Sequence, residues 1–180
     1  MTIQDLFNLI RFEHDESAFN ALYRTQVVKL SRFARSFLDD NEACKEIVND
    51  VFLRLWLNRD SLHQVRNVQV YLYVCVKNAC LNYLKSVSSR KVRELTVAGK
   101  LYFRLDADPA ELLINKELHI EITKAINNLP PRCKLIFKMV KEDGLSSNDV
   151  AAILELSNKT VFAQLAIALK RIEGVVNSYQ

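Results

Sequence analysis

Glycine and proline are scarce, three of each in 180 residues. A sheet protein uses such residues to punctuate strands and hairpins, so the shortage argues against a β architecture. Leu, Ala, Lys, Glu and Arg, all good helix formers, are plentiful, and the expected fold class is all-α. Long apolar runs are also missing, since no stretch approaches the roughly 18 residues that a membrane span needs. Met1 to Phe12 lack a cationic start leading into an apolar segment and a small-residue cleavage site, so they do not read as a signal peptide. A cytoplasmic protein without a membrane span is expected.

Chemistry-bearing side chains are sparse as well. Cys44, Cys75, Cys80 and Cys133 form no CxxC pair of the kind zinc and redox sites use, and three of them lie among apolar neighbours at helical spacing. They read as reduced core residues. His14, His63 and His119 stand apart, outside any HExxH or carboxylate-flanked pattern. No catalytic residue, metal ligand set or cofactor is expected.

What is present is a globular balance, 49% apolar and 26% charged, far from the composition of disordered chains. The length allows two helical units of about 70 residues each. A net charge of +4 and a pI near 8.9 suit a polyanionic partner without identifying one.

Ala18, Phe19, Leu22, Val27, Leu30, Ala34 and Phe37 recur at steps of three and four, predicting a helix over 17–38 with Asp15 or Ser17 as N-cap. Asp39 and Glu42 form a capping pattern ahead of a second stripe, Cys44, Ile47, Val48, Val51, Phe52, Leu55 and Trp56. Lys45, Glu46, Asn49, Asp50 and Arg54 occupy the opposite face. A third helix over 70–86 is apolar almost all round, as a central helix should be, with Asn78, Asn82 and Lys85 sharing one polar face and Leu72, Cys75, Val76, Ala79 and Tyr83 turned inward.

From 86 to 108 the periodicity fails while Lys85, Arg90, Lys91, Arg93, Lys100 and Arg104 face only Glu94 and Asp106. This reads as a basic linker. Asp108-Pro109-Ala110-Glu111 combines an N-cap, a first-turn proline and a capping glutamate, the start of a second unit. Leu113, Leu118, Ile122, Ala125, Ile126 and Leu129 line its first helix, Pro130-Pro131 ends it, Cys133 to Val140 form the next, and Gly144 stops that one. Ser146 and Asp149 then cap a short helix carrying Val150, Ala151, Ile153 and Leu154. Ser157 caps a final helix whose face holds Val161, Leu165, Ala168, Leu169 and Ile172. Two helices joined by a three-residue turn match a helix-turn-helix, and equally an ordinary αα-hairpin.

The chain resembles the extracytoplasmic-function (ECF) sigma factors of bacterial RNA polymerase, over nearly all of Asp15 to Ile172. CKEIVNDVFLRLWLNR (44–59) is similar to the family's region-two helix and YLYVCVKNACLNYLK (71–85) to the helix after its promoter-melting loop. Leu129-Pro130-Pro131-Arg132 with 144–172 is similar to region four. The short N-terminal helix, the YLY block and the LPPRC block resemble the Bacteroidetes version. The resemblance implies two small helical domains, sigma region 2 (1–88) and sigma region 4 with its helix-turn-helix (109–180), joined by a basic linker (89–108).

It also implies partners: core RNA polymerase through its largest-subunit clamp helices and its flap, promoter DNA, and an anti-sigma factor as a further candidate. By similarity, Glu46, Asn49, Asp50 and Arg54 would grip the polymerase, although a solvated helix face is the plainer account of any one of these charges. Arg66, Asn67, Tyr71, Lys77 and Asn78 would meet the minus-ten element, Arg66 and Lys77 at phosphates; Tyr71 and Tyr73 either stack on bases or pack. Arg132, Asn158, Lys159, Thr160, Phe162 and Lys170 would contact the minus-thirty-five element. Phe162, Ala163, Ala166 and Ile167 form an apolar strip where the family usually shows polar residues. It either docks on a partner, such as an anti-sigma factor or region two of the same molecule, or lets Phe162 read a thymine methyl. Glu155 stands where the turn usually has Gly or Asn. The rival functions are a helix-turn-helix regulator that binds operators without joining polymerase, and a helical adaptor with no DNA role.

Overall fold

The computed structural model describes residues 1–91 and 116–178, with the side chains of 88–91 and 116–119 excepted, and every regular element among them is helical. The chain divides into two compact units, Met1–Tyr102 and Phe103–Gln180.

The described part of the first unit is built from α1 (Ile3–Glu13), α2 (Glu16–Ala34), α3 (Asn41–Leu57) and α4 (Val68–Lys91), with a 3-10 turn at Arg59–Ser61. Side-chain caps set the first three starts. Thr2 and Asp5 form a reciprocal capping box on α1. The Asp15 carboxylate accepts from the amides of Ser17 and Ala18 at 2.7 and 3.1 Å. On α3 the cap is Asp40, not Asp39: its carboxylate accepts from the amides of Glu42 and Ala43 at 2.9 and 3.1 Å. The predicted 17–38 helix ends early, at Ala34, because the chain tightens there. The Phe37 amide donates to the Ala34 carbonyl and the Ser36 hydroxyl to the Phe33 carbonyl, which folds Phe37 and Leu38 into the core.

Leu22, Leu30 and Phe33 of α2, Val48, Phe52 and Leu55 of α3, and Leu72, Tyr73, Val76 and Cys80 of α4 are buried together. Leu6, Phe7 and Ile10 of α1 close this core against α2 and α4. Aromatic contacts join the layers: Phe33 meets Phe37 edge-on at 5.1 Å and Tyr73 at 4.9 Å, while Phe19 spans Phe52 and Trp56 at 6.2 and 5.1 Å. The four cysteines are free thiols. Burial pushes Cys44 up to about 11 and Cys80 up to about 12, which keeps both protonated and unreactive.

In the second unit α5 (Lys116–Asn127), α6 (Pro131–Lys141) and α7 (Ser147–Leu154) pack with α8 (Asn158–Asn177). The restart at Asp108–Glu111, the linker positions beyond 91, and Leu113 lie outside the described residues. Leu129, Cys133, Phe137 and Ala168 form a core cluster lined by Ile126 and Ile172. The Cys133 thiol donates to the Gln164 carbonyl at 3.1 Å and ties α6 to α8. Gly144 adopts φ 78 after α6, the left-handed stop its sequence position predicted, and the Leu145 amide reaches back to the Met139 carbonyl at 3.1 Å. Leu169 departs from expectation. It is 45% exposed, because it points about 100° round the helix from fully buried Ala168.

Glu155 ends α7 in the left-handed conformation, φ 55 and ψ 47. A side chain with a Cβ costs about 1 kcal/mol there. Glu155→Gly removes that strain and widens the freedom of the unfolded chain, an opposing loss of about 0.4–1 kcal/mol. The expected result is a small change, under about 1 kcal/mol, whereas Glu155→Val, branched at the same backbone angle, is expected to lose more than about 1 kcal/mol in urea titration.

Candidate functional site

α3 is divided sharply along its length. Ile47, Val48, Val51, Phe52 and Leu55 are buried, whereas Glu46, Asn49, Asp50 and Arg54 are all exposed on the other side. At steps of three and four these four side chains lie along one surface. Among the described residues no ion pair holds Glu46 or Asp50, so their carboxylates face solvent unneutralised. Asn49 is oriented from below: its amide oxygen accepts from the Tyr23 hydroxyl at 2.9 Å.

Two further residues on this surface escaped sequence reasoning. Leu53 and Leu57, 53% and 65% exposed, extend the polar face with an apolar ridge. Their spacing of four on the polar side of the helix was the available signal. A cleft of about 540 Å³ also opens between α2 and α3, lined by Tyr23, Val28, Arg35, Lys45 and Asn49. At the far end of α3, Arg59 lies over the Trp56 ring at 4.4 Å and donates to His14 Nδ1 at 2.7 Å, which secures the exit of the helix.

The segment leading into α4 presents Arg66 and Asn67 on the surface. The Asn67 side chain is already committed, since its Oδ1 accepts from the Val70 amide at 3.1 Å and caps α4. Gln4 of α1 accepts from the Val68 amide at 3.2 Å, so the N-terminal helix helps to set where α4 begins. Tyr71 is half-buried, and burial, with the Cys75 thiol beside it, pushes its hydroxyl up to about 12. Asn78 is exposed together with Asn82 and Lys85, as their spacing predicted, about 16 Å along the axis from Asn67.

One expectation in this region is corrected, and one open alternative is decided. Lys77 is only 6% exposed and so is not presented as a surface phosphate contact; α4 lies against α1, α2 and α3, and position 77 adjoins fully buried Val76. Tyr73 is fully buried on Phe33 and packs rather than stacking on a base.

In the second unit the chain turns through 115° between α7 and α8. That lies in the range of a helix-turn-helix, about 90–120°, and not of an antiparallel αα-hairpin. The Ser146–Asp149 capping box starts α7, and Ser157 starts α8 by accepting from the Thr160 amide at 3.1 Å. Thr160 also shares a 2.8 Å hydroxyl contact with Ser157, so it serves the cap and is half-buried. Asn158, Lys159, Phe162 and Lys170 are exposed on α8, and Arg132 is exposed at the start of α6. Of the apolar strip, Phe162 is 58% and Ile167 48% exposed, with Ala163 and Ala166 open between them.

Among the described residues no three His, Cys, Asp or Glu side chains gather as a metal site, and no single helix is long and apolar enough to cross a membrane. Residues 22–90 match the family model Sigma-70 region 2, and residues 119–172 match Sigma-70, region 4. The ECF RNA polymerase sigma-E factor of Escherichia coli (strain K12) is 22% identical over 171 residues, covering 90% of this chain and 88% of that protein. Its namesake from Haemophilus influenzae is 23% identical over 169 residues, with 90% and 89% covered. Among solved structures, the sigma factor RpoE in complex with the anti-sigma factor NepR from Bartonella quintana is similar at TM-score 0.57 and 17% identity, over 88% of this chain and 96% of that one. CnrH in complex with the cytosolic domain of CnrY is similar at TM-score 0.56 and 19% identity, with 98% of each chain covered. With Sigma-70 regions 2 and 4 matched in order along one chain, and ECF sigma-E factors aligned over most of its length, the protein belongs to the ECF sigma factor family.

Proposed function

We propose a division of labour within this sigma factor, which directs RNA polymerase in transcription initiation. Region 2 spans 1–88, a basic linker 89–108, and region 4 109–180. Glu46, Asn49, Asp50 and Arg54, extended by Leu53 and Leu57, grip the clamp helices of the polymerase largest subunit, while region 4 lies by the flap. The observation that carries this assignment is the exposure of the whole polar face of α3 above a buried apolar stripe. Such a rigid, solvent-facing row of carboxylates and amides suits a basic, hydrogen-bonding partner surface.

Arg66, just ahead of α4, and Asn78 on it meet the minus-ten element, with Asn67 setting the start of that helix and Tyr71 forming its half-buried floor. Unstacking a base costs a few kcal/mol, and a surface that holds the exposed base and its phosphates biases the duplex toward opening. Arg132, Asn158, Lys159 and Lys170 engage the minus-thirty-five duplex, Phe162 lies against it, and the amide-lined start of α8 faces a phosphate. Thr160 positions that start through its contact with Ser157. The factor works in the cytoplasm, beside polymerase, and catalyses no reaction of its own. The short α1, the YLY block and the LPPRC block support membership of the Bacteroidetes version of the family. The solved relatives are complexes with an anti-sigma factor or a cytosolic domain, which supports a protein inhibitor as a further partner.

The test is copurification with core polymerase followed by runoff transcription from a cognate promoter, and both are expected to succeed. Duplex binding without polymerase association would identify an operator-binding regulator instead, and failure of both would identify an adaptor.

A further inference from the structure

We propose that a second copy of this chain docks on the outer face of α8, the two helices pairing antiparallel about a two-fold axis beside Ala166. The inward stripe of α8, Val161, Leu165 and Ala168, is buried. Its outer face leaves Phe162, Ile167 and Leu169 about half exposed, with Ala163 and Ala166 open between them. An apolar surface of this kind on a helix marks a protein contact.

The charges on that face select the occupant. Lys159 and Glu173, both exposed, stand seven residues to either side of Ala166. A seven-residue step closes nearly two full turns, so all three share one stripe, with the two charges about 10 Å from its centre. Phe162 and Lys170 stand four residues to either side of the same alanine. A face with opposite charges at equal distances from its midpoint is complementary to its own reversed copy. Lys159 then meets Glu173 of the second copy, and the reciprocal pair forms at the other end, as an isologous interface requires. The Lys170 ammonium comes level with Phe162 of the second copy, a cation-aromatic arrangement that Arg59 and Trp56 already make in the first unit. Small Ala163 and Ala166 permit close approach of the two axes. A phosphate backbone along the same stripe would instead meet the Glu173 carboxylate.

One helix face on each side buries less than the roughly 1,200 Å² of a stable complex, so the pairing is weak and reversible. It covers Lys159, Phe162 and Lys170, so the dimer and duplex DNA exclude one another. That exclusion rests on the minus-thirty-five assignment; the pairing itself does not.

The test is sedimentation of the full chain across a concentration range. Monomer passing to dimer is expected. Lys159→Glu or Glu173→Lys alone is expected to weaken association about tenfold, and the double charge swap to restore it. A chain that stays monomeric, or a double swap that fails to restore pairing, overturns the proposal. So does association into species larger than a dimer. Duplex binding, measured in parallel at concentrations low enough to keep the chain monomeric, separates the two claims. A chain that never pairs but binds duplex defeats only the pairing, while a chain that pairs in a swap-restorable way but whose monomer binds no duplex defeats only the DNA assignment.

Discussion

A variant carrying Glu46→Lys and Asp50→Lys is expected to keep its fold and lose core polymerase, with affinity falling by at least about 30-fold. Both side chains are exposed, and neither takes part in a described ion pair. Their replacement therefore breaks no internal contact and alters α3 only through weak same-face charge effects, a few tenths of a kcal/mol. At an interface the same change sets two cations against a basic partner surface, where like-charge contacts cost several kcal/mol. Titration against core polymerase at physiological salt measures the loss. Glu13→Lys, exposed at the end of α1, is the control and is expected to bind normally. Full binding by the double variant would remove the polymerase contact from α3.

Phe33→Ala is expected to destabilise the first unit by about 3–5 kcal/mol. Phe33 is 2% exposed and links two elements, meeting Phe37 after α2 and Tyr73 on α4. Truncation removes the transfer energy of the ring, leaves a cavity that the surrounding helices fill only in part, and cuts both aromatic contacts. Against a typical domain stability of about 5–15 kcal/mol this is a large fraction. The unfolding midpoint of the first unit is expected to drop by more than about 10 °C in calorimetry. Phe33→Leu keeps most of the volume and is expected to lose much less. Equal, small losses for both variants would mean that this aromatic junction contributes little.

Local signals were legible wherever a residue acts on its own backbone. Asp15, Ser146 with Asp149, and Ser157 cap the helices they precede, and Gly144 takes the left-handed stop. These assignments survive because the partner lies two or three residues away. Asp39 and Asp40 show the limit of that logic. Two adjacent aspartates present the same chemistry, and only the path of the chain out of the turn at 35–37 decides which carboxylate meets the α3 amides. Periodicity likewise placed the outer face of α3 and the Asn78, Asn82 and Lys85 face of α4, because each of those faces has solvent on one side.

Where an element has neighbours on several sides, spacing was a weaker guide. Lys77 and Tyr73 lie on α4, which α1, α2 and α3 enclose, and both are buried despite their polar atoms. A charge of +4 and a basic run said nothing about which lysines reach solvent. The start of α4 depends on Gln4, 64 residues earlier, a bond that no local pattern announces.

The order of helices, several of their caps, the two-unit division and the helix-turn-helix spacing follow from the amino-acid sequence by itself, since each depends on backbone bonds and on one repeating apolar face. The 115° turn that separates a helix-turn-helix from a hairpin, the withdrawal of Lys77 and Tyr73, and the exposure of Leu169 were decided only by tertiary structure. A helix can encode which of its sides is apolar, but how many neighbours cover that side is set by the packing of the other helices.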